Sequence, residues 1–430
     1  MTRFSAIKSA CLTGCAHLSR IAVGFLLIKV VAFYLGPDGL GALGHFMSLA
    51  TIIYMVAGGG VTNAVIKYAS EYNQQPHRLV RMISASSSYS LACCLVVGVL
   101  GILFSRPLAG FLFSDSDNWW LVVLLALAQF FYAYVNIVVG VGNGLLATHV
   151  YSRIQVVGSL LAAVLTFALV MKYGFKGAAV ATVVIYLAPA LPAAYFHFRS
   201  SLRSKVRFVR LKYVEVKRFA RFSGMMLVSA ASFPIVEMVI RQALINGAGV
   251  QEAGLWQGLI KLSSAYLGFF TIFLSYYFMP MISREQDKGV IKSLTLRMML
   301  AVSLLFLIGA VVLYSGRVFF ISHLLSDEFS RASDYLGYQL IGDGFRIASY
   351  VLGFIAVAKA SIRLYIGAEL LQNGLFLGVA YSFSSSSAGV LSVVQAYALA
   401  YVVYFLVAVA SFVVYLNKKS SGGKFNVVSC

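Results

Sequence analysis

The chain is short of charged residues, and this shortage decides its class. Only 11% of its 430 residues are charged, whereas 60% are hydrophobic and the mean hydropathy is +0.86. A soluble domain carries charge on roughly a quarter of its residues. Most of the protein's surface must therefore face something other than water, which excludes an ordinary soluble domain.

Acidic residues are scarcer still. The chain has 14 Asp and Glu against 34 Lys and Arg, a formal net charge of +20. In a soluble protein this balance would indicate a nucleic-acid partner. Here Lys and Arg gather in short links on one side of the apolar segments, as the positive-inside rule describes for membrane proteins. We therefore expect membrane lipids, and no nucleic acid, among the partners.

Motifs for catalysis and cofactors are also missing from the sequence. The five cysteines follow no disulfide or metal-site spacing, and no nucleotide-binding cassette or catalytic motif is present. His323, Asp327 and Glu328 could suggest a metal, but the pattern is more typical of a solvated loop. We predict no metal, no cofactor, no catalytic residue and no enzymatic activity.

Apolar runs of about twenty residues recur along the whole chain. A helix of this length crosses a hydrocarbon core of about 30 Å, and the runs are too long and too continuous for barrel strands. The sequence predicts an all-α polytopic membrane protein with about twelve transmembrane helices. The predicted spans are 8–35, 41–69, 80–104, 118–142, 151–171, 177–198, 219–245, 251–281, 291–315, 333–358, 364–381 and 389–416.

One link stands at the middle of the chain. Residues 199–218 carry eight basic residues and one acidic residue, Glu215, with apolar residues interleaved. This composition predicts a basic amphipathic cytoplasmic linker that lies on anionic headgroups. Six spans precede it and six follow, which predicts an N-terminal six-helix bundle (1–198), a C-terminal six-helix bundle (219–417) and a disordered cytoplasmic tail (418–430).

The distribution of basic residues predicts the orientation. The links 70–79, 143–150, 199–218, 282–290 and 359–363 lie on the same side as both termini, and Lys and Arg are concentrated in and around these links. The other side has five basic residues, diluted by five acidic ones. Both termini of this multi-pass protein are therefore expected in the cytoplasm.

Three stretches carry a resemblance to a known family. They are residues 35–72 (LGPDGLGALGHFMSLATIIYMVAGGGVTNAVIKYASEY), 254–280 (GLWQGLIKLSSAYLGFFTIFLSYYFMP) and 338–369 (YQLIGDGFRIASYVLGFIAVAKASIRLYIGAE). They resemble the bacterial lipid-linked oligosaccharide flippases, the O-antigen and enterobacterial common antigen translocases of the multidrug/oligosaccharidyl-lipid/polysaccharide exporter superfamily. The similarity covers nearly the whole chain and is most specific in the last two stretches.

The resemblance implies an architecture and a substrate. It implies two six-helix bundles around a central cavity with alternating access, in the bacterial inner (cytoplasmic) membrane. The substrate would be an undecaprenyl-diphosphate-linked oligosaccharide repeat unit, carried from the cytoplasmic to the periplasmic leaflet. A glycan polymerase and a chain-length regulator are the candidate protein partners.

Ionisable residues at membrane depth are the candidates for function. Each costs about 2.5–3.5 kcal/mol at a helix centre, so it should face a cavity or a partner. The candidates for a cationic substrate-binding cavity are Arg20, Lys29, Lys67, Arg241, Lys261 and Arg346. Lys67 can equally snorkel to the end of its span. Glu237 and Lys261 depart from the usual pattern of the resembling family. The resemblance implies the same or like-charged residues in that family at nine positions: Arg20, Lys29, Lys67, Arg241, Asp343, Arg346, Lys359, Arg363 and Glu369.

Two pairs of charges are spaced for contact on one helix face. Glu237 and Arg241 are four residues apart, and Asp343 and Arg346 are three apart. Each pair could serve transport, or could only neutralise itself to permit insertion. With Lys67 set aside, five deep cations face three carboxylates, which leaves a net charge of +2. Such a cavity suits a diphosphate and suits a cationic drug poorly.

Carboxylates and neutral polar groups complete the predicted site. A carboxyl at membrane depth tends toward its neutral form unless it is paired, so Glu369, Asp343 and Glu237 are candidates for proton coupling, Glu369 above the others. Possible sugar contacts, which could equally be interhelical hydrogen bonds or interfacial anchors, are Asn63, Trp256, Gln257, Gln372 and Asn373.

Two other functions stay open from the sequence. One is a drug/cation antiporter of the same superfamily, against which the cationic cavity argues. The other is a membrane glycan polymerase. The longest links have about twenty residues, which leaves little room for the acceptor site that a polymerase would need outside the membrane.

Overall fold

The computed structural model describes residues 3–200, 207–359, 362–384 and 389–417. All regular secondary structure in these ranges is helical. The α-helices are α1 (Arg3–Val56), α2 (Thr62–Glu71), α3 (Pro76–Leu103), α4 (Ser105–Phe113), α5 (Trp119–Gly144), α6 (Thr148–Leu187), α7 (Ala190–Arg199), α8 (Tyr213–Ala248), α9 (Val250–Phe273), α10 (Met279–Arg284), α11 (Lys288–Ser315), α12 (Arg317–Leu324), α13 (Ala332–Ala358), α14 (Ile362–Ser384) and α15 (Val390–Asn417).

Nine helical segments in the described ranges are long and apolar enough to cross a membrane. Two of them, Leu12–Glu71 and Thr148–Arg199, have 60 and 52 residues, about twice the length of one crossing. Each bends near its middle and so provides two crossings. With α14 these give twelve spans, and the predicted fold class is confirmed.

Glycines produce the two bends. Gly36 has φ 63° in the middle of α1, and Gly174 has φ 53° in the middle of α6. Glycine adopts this left-handed conformation at little cost, because it has no Cβ. Pro37 follows the first bend and begins the second half of α1. Both breaks fall in the gaps that hydropathy left between predicted spans.

The second crossing is also broken inside its predicted span of 41–69. Residues Ala57–Gly59 form one 3₁₀ turn, and Gly58, Gly59 and Gly60 all have positive φ. The crossing continues in α2. Apolar periodicity does not report this break, because alanine, valine and glycine on either side of it are equally compatible with a membrane.

We call α1–α7 the N-terminal lobe and α8–α15 the C-terminal lobe. Twelve crossings place the first and last helix ends on one side, which we call the terminal face. Lys288 Nζ donates to the carbonyl of Tyr415 at 2.9 Å on this face. The other side, which we call the opposite face, holds Gly36, α4, α12 and the turns before α9 and α15.

The lobes meet tightly at the opposite face. A Cβ on Gly254 in α9 would lie 1.8 Å from the carbonyl oxygen of Pro37, and one on Gly41 would lie 2.4 Å from that of Val250. Only glycine permits backbones to approach this closely. The hydroxyl of Ser326, which follows α12, also donates to the carbonyl of Ala32 at 3.0 Å. We call the contact between 37–41 and 250–254 the seam.

The predicted linker lies partly outside the described residues, which omit 201–206. Its end is already helical, because α8 begins at Tyr213. The preceding segment runs extended along α3, where the backbone N–H of Val209 donates to Ser88 Oγ at 2.8 Å and Arg81 forms an ion pair with Glu215 at 2.9 Å. The predicted tail, 418–430, lies outside the described residues.

Candidate functional site

A cavity of about 220 Å³ lies between the lobes. Its walls are α1 and the second half of α6 on one side and α9 on the other. Polar groups on its wall are Thr51, Thr182, Tyr186 and Ser264, and Lys261 is the charged side chain among its described lining residues. The Lys261 side chain is 22% exposed, so its ammonium can meet a bound group.

A smaller pocket of about 10 Å³ adjoins this cavity inside the N-terminal lobe. Arg20 lines it together with Tyr54. Ile185 and Tyr186 belong to the walls of both spaces and so separate them. The rings of Tyr54 and Tyr186 stack at 4.3 Å between centroids. The Arg20 side chain is itself exposed, so an anionic group can reach it from outside this small pocket.

A polar layer closes the larger cavity toward the opposite face. Arg241 of α8 is fully buried there. Its Nη2 donates to Gln257 Oε1 at 2.6 Å, and Nη1 and Nη2 both lie 3.4 Å from Ser48 Oγ. Nη1 is 3.5 Å from His45 Nδ1, and the guanidinium lies 6.0 Å from the ring of Trp256. We call these five residues the Arg241 layer; it joins α8 and α9 to α1.

Glu237 lies between the Arg241 layer and the cavity. Its Oε1 is 3.5 Å from Lys261 Nζ, and its Oε2 accepts from Ser48 Oγ at 3.4 Å. The predicted pairing of Glu237 with Arg241 is not formed, because the Lys261 ammonium from α9 occupies the carboxylate instead. Sequence spacing identifies neighbours on one helix, but it could not show that a cation from another helix, Lys261 of α9, pairs with Glu237.

Asp343 is fully buried inside the C-terminal lobe. Its Oδ2 accepts from Ser263 Oγ at 2.7 Å and also from the Tyr266 hydroxyl, and its Oδ1 accepts from the Tyr397 hydroxyl at 2.7 Å. The predicted pairing with Arg346 is indirect, because Arg346 Nη1 donates to the same Tyr397 hydroxyl at 3.0 Å. Three hydroxyls thus satisfy a carboxylate that burial would otherwise destabilise.

Arg346 points into an aromatic group away from the inter-lobe cavity. Its guanidinium lies 4.7 Å from the centroid of Phe233, 5.0 Å from that of Tyr401 and 5.8 Å from that of Tyr350. Such cation–π contacts stabilise a desolvated cation by about 2 kcal/mol. Glu369 is half-buried nearby on α14, where Asn373 Nδ2 lies 3.5 Å from its Oε1.

The other predicted cations lie near the two ends of the membrane. Lys29 Nζ donates to the carbonyl of His323 at 2.5 Å, which ties the first half of α1 to α12 near the opposite face. Lys67 lies near the terminal face with its ammonium 5.3 Å from the ring of Tyr68. Asn63 is exposed there and contacts the sulfur of Met226 at 3.1 Å.

The structure therefore does not bring the six predicted cations into one cavity. Arg20 and Lys261 line the two neighbouring spaces, whereas Arg241 is fully buried and Arg346 is half-buried among other side chains. The predicted sugar contacts Trp256, Gln257, Gln372 and Asn373 are also buried in helix contacts away from the cavity wall. Gln257 instead forms an interhelical hydrogen bond with Arg241, which was the alternative to a sugar contact.

Sequence reasoning missed the tyrosines of the site. Tyr54, Tyr132 and Tyr186 form one aromatic cluster beside Arg20, with centroid distances of 4.3 to 6.0 Å. Tyr266 and Tyr397 hold Asp343. A signal was present in the composition, because the chain has 25 tyrosines, far more than two interfacial belts need.

The fold and the cavity define a class: a two-lobed polytopic membrane protein with the fold of known transporters. It resembles solved transporters at TM-scores above 0.7. The structure titled "Inward-facing conformation of a multidrug resistance MATE family transporter of the MOP superfamily" gives 0.72 at 19% identity, covering 94% of this chain and 96% of that chain. "Lipid II flippase MurJ, inward closed conformation" gives 0.74 at 13% identity, covering 94% and 87%.

The sequence profile of the Polysaccharide biosynthesis protein family matches residues 6–286. The chain belongs to this family. It is 29% identical over 426 residues to the lipid III flippase of Escherichia coli (strain K12), covering 96% of this chain and 100% of that protein. The lipid III flippase of Shigella flexneri gives the same values. The family predicted from the sequence is confirmed.

Proposed function

We propose that this protein is a flippase that moves an undecaprenyl-diphosphate-linked oligosaccharide from the cytoplasmic to the periplasmic leaflet by alternating access. The observation that carries the proposal is the inter-lobe cavity with the Lys261 ammonium on its wall and the exposed Arg20 side chain beside Tyr186. Full-length similarity to two lipid III flippases supports the same activity.

The chemistry of the cavity fits an anionic headgroup. Lys261 and Arg20 can give charge-assisted hydrogen bonds to diphosphate oxygens. The cavity wall is otherwise apolar on the face of α1, from Ile21 to Ile28, where an isoprenoid chain can lie. A cationic drug would meet two like charges at the same places, so an antiporter for cationic drugs is disfavoured.

The relatives' name favours one of the two antigen types that the resemblance implies. Lipid III flippases point to the enterobacterial common antigen rather than to an O-antigen unit. The protein then acts in the inner membrane, with the terminal face in the cytoplasm and the opposite face in the periplasm. A transporter of this kind makes and breaks no covalent bond.

Charge reversal at the cavity tests the proposal. Lys261→Glu and Arg20→Glu should each lower the rate of flipping by on the order of tenfold or more, because a lost hydrogen bond to a charged group costs about 1.5–3 kcal/mol. The assay follows a fluorescent undecaprenyl-diphosphate-linked oligosaccharide in proteoliposomes. Lys172→Glu, which reverses an exposed cation on α6 outside both spaces, is the matched control.

Normal flipping by both cavity variants would exclude these cations from substrate binding. Transport of a cationic dye by the wild type, with no flipping of the oligosaccharide lipid, would support the antiporter instead.

A further inference from the structure

The charges beside the cavity form a continuous chain of contacts between the lobes. It runs from Lys261 at the cavity wall to Glu237, from Glu237 to Ser48, and from Ser48 to Arg241, with steps of 3.5, 3.4 and 3.4 Å. Lys261 and the two α8 residues belong to the C-terminal lobe, whereas Ser48 belongs to α1. The chain therefore crosses the boundary between the lobes.

The order of these groups along the membrane normal gives the contacts a direction. On α8, Glu237 precedes Arg241 by one turn on the way to the opposite face, and on α1 Ser48 follows Gly44 and His45 by one turn. Arg241 therefore lies between the cavity and the seam. The opposite face cannot open while its guanidinium remains bound to Ser48 and packed on Gly44.

The alternative partner of Arg241 is already in place. Glu237 is four residues away on the same helix, the spacing at which opposite charges pair. Two things hold Glu237 away from it: Lys261 engages Oε1 and Ser48 engages Oε2. Among the described residues, Lys261 is therefore the charged group that contacts the Glu237 carboxylate directly, and Arg241 is linked to it through Ser48. A group that withdraws Lys261 frees Glu237 to pair with Arg241.

We propose that Lys261, Glu237 and Arg241 form a substrate-triggered latch on the opposite face. A diphosphate that enters the cavity takes the Lys261 ammonium, and Glu237 then pairs with Arg241 within α8. The guanidinium leaves Ser48, His45 and the backbone of Gly44, and the seam is free to open. This inference rests on the proposed function for the identity of the trigger, but the latch itself makes a prediction without substrate.

The polar atoms left without partners fit a layer that changes state. In the Arg241 layer, His45 Nε2, Trp256 Nε1 and Gln257 Nε2 are buried and have no hydrogen-bond partner. A buried unsatisfied group costs about 1–3 kcal/mol. These unpaired groups raise the free energy of the latched state, and a rearrangement of the layer or the entry of water would lower it.

Distances between spin labels at the opposite face test the latch. Labels are placed at Asp117→Cys and Asp334→Cys, exposed positions on the two lobes, in a background without the native cysteines and in nanodiscs. Without substrate, Lys261→Met should raise the ratio of open to closed distances by about tenfold. Lys261→Met combined with Glu237→Gln should return to the wild-type ratio, because no carboxylate remains to withdraw Arg241. Lys261→Arg and Lys172→Met are the controls and should stay closed.

Undecaprenyl diphosphate is the probe for the trigger. It should open the wild type and leave Glu237→Gln closed, although native mass spectrometry should show it bound to both. A closed Lys261→Met protein, monodisperse and stable on heating, would overturn the latch whatever the substrate is. A wild type that binds no undecaprenyl diphosphate, together with an open Lys261→Met variant, would retain the latch and count against the proposed function.

Discussion

The Arg241 guanidinium packs directly on the backbone of Gly44, across the boundary between the lobes. A Cβ on Gly44 would lie 2.3 Å from Nε and 2.8 Å from Cζ, closer than real Cβ atoms come to any heavy atom. The guanidinium is fixed on its other side by Gln257 Oε1 at 2.6 Å. Glycine at position 44 is therefore what allows a buried arginine of one lobe to reach the other.

A methyl group at this position should disturb the closed state. We expect Gly44→Ala to lower the melting temperature of the protein in detergent and to slow flipping, because Arg241 must leave its buried site. Gly14→Ala on the same helix meets nothing within 4 Å and should not lower the melting temperature, since alanine favours a helix over glycine by about 1 kcal/mol. A Gly44→Ala protein as stable as the Gly14→Ala protein would contradict the contact.

The hydroxyl of Tyr397 should contribute strongly to stability. It joins Asp343 to Arg346, so Tyr397→Phe leaves one lone pair of the carboxylate and one guanidinium N–H unpaired. We expect a loss of about 1–3 kcal/mol in the free energy of unfolding. Chemical denaturation in micelles measures it, and Tyr213→Phe, which changes an exposed tyrosine on α8, serves as control. Equal stability of the two variants would show that water replaces the hydroxyl.

The orientation predicted from basic residues can be tested by labelling. Gln74→Cys on the terminal face and Asp117→Cys on the opposite face are both exposed. In cells with a permeabilised outer membrane, an impermeant maleimide should label Asp117→Cys and not Gln74→Cys. The reverse pattern would place the terminal face in the periplasm and contradict the positive-inside assignment.

A membrane potential should drive the proposed export. A diphosphate carries about two negative charges, and its outward movement gains about 4.6 kcal/mol per 100 mV if the protein's own charges stay in place. In proteoliposomes, a potential negative on the substrate's side should therefore accelerate flipping without a pH gradient. A rate that responds only to an imposed pH gradient would replace this mechanism with obligatory proton antiport.

Glu369 stays the predicted residue for proton coupling. It is half-buried on α14 and has a weak neutral partner, Asn373, at 3.5 Å. We expect Glu369→Gln to slow turnover and to flatten its dependence on pH, because the variant cannot exchange a proton. Glu71→Gln, at an exposed carboxylate on the terminal face, should keep the wild-type pH profile. Matching profiles for all three proteins would remove Glu369 from the transport cycle.

Hydropathy predicted the number of spans and left gaps at the bends of Gly36 and Gly174, but it missed the interruption inside the second span. The cost of exposing backbone to lipid fixes where a crossing must exist, so α3, α5, α11 and α15 fall close to their predicted limits. The 3₁₀ turn at Ala57–Gly59 is satisfied by a contact outside its own helix, since Ser90 Oγ donates to the carbonyl of Gly58 at 3.0 Å. No local pattern contains such information.

In the candidate site, too, the sequence predicted part of the arrangement and missed the rest. The cost of burying charge correctly singled out Glu237, Arg241, Lys261, Asp343 and Arg346 as residues that need partners. Their partners, however, come from other helices: Ser48 from α1, Ser263 from α9 and Tyr397 from α15. Helix periodicity identifies which residues share a face, but only the fold shows which faces meet.

The seam is a close contact between backbones, made at glycines. Gly41 and Gly254 meet mainly backbone, with the Val250 side chain also near Gly41, so few interlocked side chains must separate when the two lobes part there. Resistance to parting is then concentrated in a few polar contacts, those of Arg241, Lys29 and Ser326. In a carrier built in this way, substitutions at these few polar contacts can change the opening rate over a wide range, while the backbone contact of the seam stays the same.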